Sequence, residues 1–108
     1  MGQQRRVELN NLLGDILEEK FDVRNVYFNP PEDVKLQFPC FVYFRSSSHR
    51  ILRANNTSYK FTQGYKVTFI GRRPDDSFIE EMTSRRYVGY NTSFMADGLV
   101  HDEYTIYF

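Results

Sequence analysis

Near the start of the chain the apolar positions follow a helical period. Leu9, Leu12, Leu13, Ile16 and Leu17 keep the i, i+3, i+4, i+7, i+8 spacing of one helix face. Glu8, Asn11, Asp15, Glu18 and Glu19 take the other face, so the pattern predicts a helix from about Arg5 to Lys20, with Phe21 closing the stripe. Gly14 inside it weakens helix formation by about 1 kcal/mol relative to Ala. A short extended piece, Asn25–Phe28, follows and ends at Pro30-Pro31, where φ is fixed and the amide donor is missing. Glu32 to Gln37 reads as a connector with room for one helical turn, and Pro39 marks entry to a strand.

From there the period changes. Cys40 to Phe44 is continuously apolar, as in a strand buried on both faces, and the strand continues, more polar, towards Arg53. Ala54-Asn55-Asn56-Thr57 fits a hairpin turn, because Asn tolerates positive φ. Tyr59, Phe61, Tyr65, Val67 and Phe69 then alternate with polar or small residues, giving one buried and one wet face; Gln63 alone interrupts the apolar side. Arg72 to Asp76 is a turn. Ser77-Phe78-Ile79-Glu80 has the form of a capping box, predicting a helix from Ser77 to Ser84 that buries Phe78, Ile79 and Met82. Tyr87 to Met95 reads as a strand with Val88, Tyr90 and Phe94 on one face. After the turn Ala96-Asp97-Gly98, Leu99 to Phe108 is the last strand, with Val100, Tyr104, Ile106 and Phe108 on one face and Asp102 as the polar exception.

The order α, β, β, β, α, β, β predicts an α+β fold of one domain, residues 1–108. It would be an antiparallel sheet of four or five strands flanked by the N-terminal helix and a short second helix. No helix is long enough to suggest parallel crossovers, and no repeat or linker interrupts the chain. With 108 residues and 17% aromatics, the chain can bury a core without disulfides. The single Cys40 excludes an internal disulfide and a multi-thiolate metal site. The first residues lack the apolar core of a secretory signal, and no apolar run approaches the ~18 residues of a membrane span, so no membrane partner is expected. Met1-Gly2 begins like a myristoylation signal, but Arg6 stands where Ser or Thr is needed. The Asn55 and Asn91 sequons read as turn and strand residues.

Enzyme motifs are nearly absent. There is no phosphate-binding glycine loop and no nucleophile elbow. In His101-Asp102-Glu103, strand geometry puts Asp102 on the face opposite His101, which favours a plain polar stretch over a metal or acid–base site. His49 reads as solvated, and Cys40, between Pro39 and Phe41, as a small hydrophobe. Neither a catalytic residue nor a cofactor is expected.

Charge is more informative than any motif. Fourteen bases balance 14 acids, which disfavours a dedicated polyanion binder. Yet Val34 to Pro74 holds no acid and eight bases: Lys35, Arg45, Arg50, Arg53, Lys60, Lys66, Arg72 and Arg73. The rest carries six bases against 14 acids. Three readings of this +8 centre and −8 flanks compete: pairing within the fold, contact with nucleic acid, and head-to-tail self-association.

The ordered motifs are similar to those of tail-terminator (tail-completion) proteins of long-tailed bacteriophages. Asn25-Val26-Tyr27-Phe28-Asn29-Pro30-Pro31 and Phe38-Pro39-Cys40-Phe41-Val42-Tyr43 resemble that family's N-V-Y-F-Q-P-P and Y-P-C-I-V-Y. Ala54-Asn55-Asn56, Tyr59, Tyr65–Ile70 and Pro74–Ser77 match its middle. Met95–Phe108 resembles its ending, V-A-D-x-L-N-H-D-x-F-x-x-Y-Y. Asn29, Phe38 and Val100 depart from the family's usual Gln, Tyr and Asn.

The resemblance implies a structural virion protein, assembled in the bacterial host cytoplasm. It would form a ring, usually six-fold, at the head-proximal end of the tail tube. Its partners would be copies of itself, the major tail tube protein and a head-completion protein, with genomic DNA passing through the lumen. A neighbouring head–tail connector protein and a small nucleic-acid-binding module are the alternatives. Candidate subunit or lumen contacts are Arg45, Arg50, Arg53, Lys60, Lys66, Arg72 and Arg73; the candidate docking loop is Ala54, Asn55, Asn56 and Thr57.

Overall fold

The computed structural model describes residues 2–54, 58–85 and 87–108, and the side chains of 6–46, 63–85 and 87–108. The elements run α1 (Gly2–Phe21), β1 (Val26–Phe28), β2 (Cys40–Ala54), β3 (Ser58–Gly71), α2 (Asp76–Thr83), β4 (Val88–Ala96) and β5 (Leu99–Tyr107). This is the α+β order read from the sequence. The five strands form one sheet in the order β1-β2-β3-β5-β4.

The sheet is mixed rather than wholly antiparallel. β2–β3, β3–β5 and β5–β4 are antiparallel, but β1 lies parallel to β2, with Val26 opposite Phe41 and Phe28 opposite Tyr43. β3 and β4 also run the same way, with β5 between them, so eight-residue α2 serves as a crossover after all. The β1–β2 crossover contains no helix. Its Leu36 and Phe38 pack on Cys40, Val42 and Ile70, making a small second core on the face away from α1.

The main core lies between α1 and the sheet. Leu9, Leu13, Ile16 and Leu17 meet Phe41, Tyr43, Tyr65, Val67, Tyr104 and Ile106. Each such side chain contributes roughly 2 kcal/mol on burial, which outweighs the helix-weakening glycine. Gly14 has a use: a Cβ there would come within 2.7 Å of the Arg24 guanidinium. Arg24 lies across α1 and pairs with Asp15 at 2.7 Å and Glu18 at 3.2 Å. Asp22, at φ 60°, turns the chain out of the helix, and its N–H donates to the Glu18 carbonyl. Towards the C-terminal end of α1, Phe21, Phe41, Phe69 and Phe78 form an aromatic cluster, with Phe69 and Phe78 centroids 4.7 Å apart.

Three local expectations are corrected. The helix cap of α2 is Asp75, not Ser77: Asp75 Oδ1 accepts from the Phe78 N–H at 3.0 Å and from the Ser77 hydroxyl at 2.7 Å. A carboxylate outcompetes a hydroxyl for the free amides at a helix start. Of the three residues assigned to its buried face, Phe78 and Met82 are buried and Ile79 is half-buried. Phe94 is not on the face of Val88 and Tyr90. The β4–β5 register shifts between Tyr90 and Thr92, so one extra residue reverses the alternation beyond it. Phe94 then pairs with His101 on the open face, while Tyr90 stays opposite core Tyr104. The two-residue turn Asp97-Gly98, with φ 54° and 74°, is of the type that matches strand twist.

Candidate functional site

The long β2–β3 hairpin is the largest projecting feature. β5 accompanies β3 only from Gly64 to Gly71, and β1 accompanies β2 only from Phe41 to Tyr43. Beyond these points β2 and β3 continue as a two-stranded arm, with Arg50 opposite Thr62 and Arg53 opposite Tyr59, up to Ala54 opposite Ser58. The molecule is accordingly elongated, 49 × 29 × 24 Å.

The base of the arm explains an oddity of the sequence. The β2–β3 register shifts between Arg45 and His49, which interrupts the regular ladder. Gln63, the polar break in an apolar face, sits there, and its side-chain amide donates to the Ser46 carbonyl at 2.6 Å. The Gln63 backbone exchanges hydrogen bonds with Phe108, so β5 gives out where the arm begins.

The candidate charged residues are dispersed rather than gathered. Arg50, Arg53 and Lys60 lie on the arm strands, and Ala54 ends β2. Asn55, Asn56 and Thr57, the remainder of the expected docking loop, lie outside the described residues. Arg45 is exposed at the arm's base. Lys66 is on the sheet's open face, where its Nζ lies 3.2 Å from Glu103 Oε2. Arg72 and Arg73 are exposed at the opposite end, in the turn before α2. Among the described residues Arg45, Arg72 and Arg73 make no ion pair, so internal pairing accounts for Lys66 alone of these four.

Arg72 and Arg73 border a cleft of about 370 Å³, with Phe21, Pro39 and Phe69 among its apolar lining. Gly71 keeps its wall open, since a Cβ would meet the Phe69 ring at 2.8 Å. The cleft could accept an apolar side chain with an acid beside it.

The reactive candidates are separated as strand geometry required. His101 stacks on Phe94, centroids 4.9 Å apart, with Nδ1 3.2 Å from the Leu99 carbonyl. Asp102 is buried on the other face, where the Tyr90 hydroxyl donates to it at 3.5 Å. Burial pushes the Cys40 thiol up to about 12, far from the reactive range. Among the described residues no group of three His, Cys, Asp or Glu is placed to hold a metal ion, and no helix is long and apolar enough to cross a membrane.

One surface escaped notice in the sequence. β4 is an edge strand, and all of its residues except the first and last are exposed. Phe94 and Met95 are 45% and 65% exposed. The signal was available: Val88 to Ala96 contains no charged residue and no proline, although edges usually carry one or the other.

Comparison of the chain with models of protein families gives no match, and comparison with curated proteins gives none. The motifs and the geometry therefore carry the functional reading.

Proposed function

We propose that the chain is a structural subunit of a long-tailed bacteriophage virion, a tail terminator. Copies of it form a ring, six-fold in the family it resembles, on the head-proximal end of the tail tube. The ring stops tube growth and offers a joining surface to a head-completion protein. The observation that carries this reading is the ordered set of motifs from Asn25-Val26-Tyr27-Phe28 to the ending Met95–Phe108, spread over nearly the whole chain.

The geometry is compatible with such a role. A growing tube presents an open ring of unmatched surface. A terminator must match that surface on one side and present a different one on the other, so that the next tube subunit finds no partner. This chain has an extended arm at one end and, at the other, a cleft bordered by two arginines that make no ion pair among the described residues. Two chemically distinct ends suit a subunit that meets different neighbours above and below.

Electron microscopy of the purified protein, alone and mixed with tail tubes, tests the reading. Rings, free or capping tubes, are expected. A strict monomer that leaves tubes uncapped would overturn it. A nucleic-acid-binding module is the second reading, favoured by the acid-free stretch of eight bases. Titration of labelled DNA at two salt concentrations separates the two, since phosphate contacts make affinity fall steeply with salt. Tight, salt-sensitive binding by the isolated subunit would favour the second.

A further inference from the structure

We propose that the sheet continues from one copy of the chain into the next, the uncharged edge of β4 pairing through its backbone with the arm portion of β2 from a second copy. This rests on the ring reading above and names the contact that would close the ring.

The strand order leaves two long open edges on opposite sides of the sheet. On one side β4 offers Val88–Ala96. On the other, β1 pairs only with Phe41 to Tyr43, so among the described residues no strand lies beside β2 on that side from Phe44 to Ala54. Outward N–H and C=O groups of an edge bond to water or to another strand. Edges are normally guarded by charge, proline or brevity. β4 has none of these three; the one guarding device it carries is the bulge between Tyr90 and Thr92. Its exposed Tyr90, Phe94 and Met95 would be partly covered by an added strand.

Three pairings of copies are geometrically simple, and charge and symmetry choose among them. Arm against arm brings together two segments that carry Arg45, Arg50 and Arg53 and no acid, and their like charge repels. β4 against β4 is a two-fold contact that closes after two copies and leaves every arm edge open. β4 against the β2 arm uses both edges of every copy and repeats. Exposed Asp97 directly follows β4 and exposed Glu80 and Glu81 lie further back on α2, with the bases Arg85 and Arg86 between α2 and β4; none of the three acids makes an ion pair among the described residues. They would attract a basic arm.

Direction and stagger follow. Within one copy β2 is antiparallel to β3, and β3 runs with β4. A rotation about an axis roughly along the strands therefore brings β2 of the next copy antiparallel to β4. The arm stands beyond the level of β4, so neighbouring copies must be offset along the strands. Closed barrels impose such an offset through the tilt of their strands.

The test is hydrogen–deuterium exchange of the full chain at low and high protein concentration, with mass followed by light scattering. The expected result is an oligomer whose formation slows exchange in both 44–54 and 88–96. Two charge variants add a reciprocal check. The β4 variant Thr92→Lys/Phe94→Lys and the arm variant Arg50→Glu/Arg53→Glu should each stay monomeric, with unchanged circular dichroism, and should associate when mixed. If either variant misfolds, the wild-type exchange result decides alone. Slowing in 88–96 only would mean two-fold β4 pairing and would overturn the proposal. Rings in which both edges exchange freely would overturn the pairing and leave the ring reading standing. Absence of association at any concentration, together with bare tubes, would overturn both.

Discussion

Tyr65 and Tyr104 place their hydroxyls in the core, where neither finds a hydrogen-bond partner among the described residues. A buried unpaired hydroxyl costs more than a missing one. Tyr65→Phe is therefore expected to raise the unfolding free energy by about 1 kcal/mol, measured by urea titration; a loss of similar size would refute the unpaired assignment. Cys40 makes the opposite kind of prediction. Its thiol ionises near 9.0 in the unfolded chain and near 12 when buried, so above pH 9 the unfolded state binds fewer protons than the folded one. Stability should then fall as pH climbs through that window. Between pH 9 and the ordinary tyrosine value of 10.0, Cys40→Ala should flatten the slope; an unchanged slope would remove the thiol as its cause. At this scale the sequence was only partly legible. The stripe of Leu9, Leu13, Ile16 and Leu17 could be read because period alone decides it. The use of Gly14 could not, because it depends on Arg24 returning across the helix.

Among the elements, α2 depends most visibly on one contact. Asp75→Ala removes the acceptor for the Phe78 N–H and should cost about 1 kcal/mol, whereas Ser77→Ala, which leaves that acceptor in place, should cost less. Chemical denaturation of the two variants checks the order, and the reverse order would restore Ser77 as the cap. The Ser77 hydroxyl first, then the Phe78 amide, hold the Asp75 carboxyl below its usual 3.8. Its contribution is thus present above that value and is lost as pH falls below it. Strand existence was legible throughout, since β2, β3 and β5 each show a run or an alternation. Two features were not. β1 has three residues, too few to carry a period, and its parallel direction depends on the route of the connector. The bulge in β4 reverses the face of Phe94 without leaving a mark in the alternation, because Asn91, Thr92 and Ser93 are all polar.

For the whole molecule, the neutral net charge conceals an uneven distribution. Of the central bases singled out as contacts whose side chains are described, Lys66 pairs within the fold, while Arg45, Arg72 and Arg73 make no ion pair among the described residues. Reversing Arg53 or Lys60 to Glu is expected to abolish ring formation and leave the folded monomer unchanged, as judged by electron microscopy beside thermal melting. Intact rings would place the contact elsewhere. The separation of charge was legible by counting; that only Arg50, Arg53 and Lys60 of these bases stand on a projecting arm was not, because where β5 stops relative to β3 is a tertiary fact. That same stopping point sets an order of events in time. The two hairpins β2–β3 and β4–β5 close locally, but joining β3 to β5 brings together Gly64 and Tyr107, far apart along the chain. Such long-range pairing is slow to form. In pulse-labelled refolding, β4–β5 amides should become protected before those shared by β3 and β5; the opposite order would remove this expectation. The free edge of β4 would then be held in place by the same late step that completes the core, so a half-made subunit has no finished edge to offer and assembly waits for maturity.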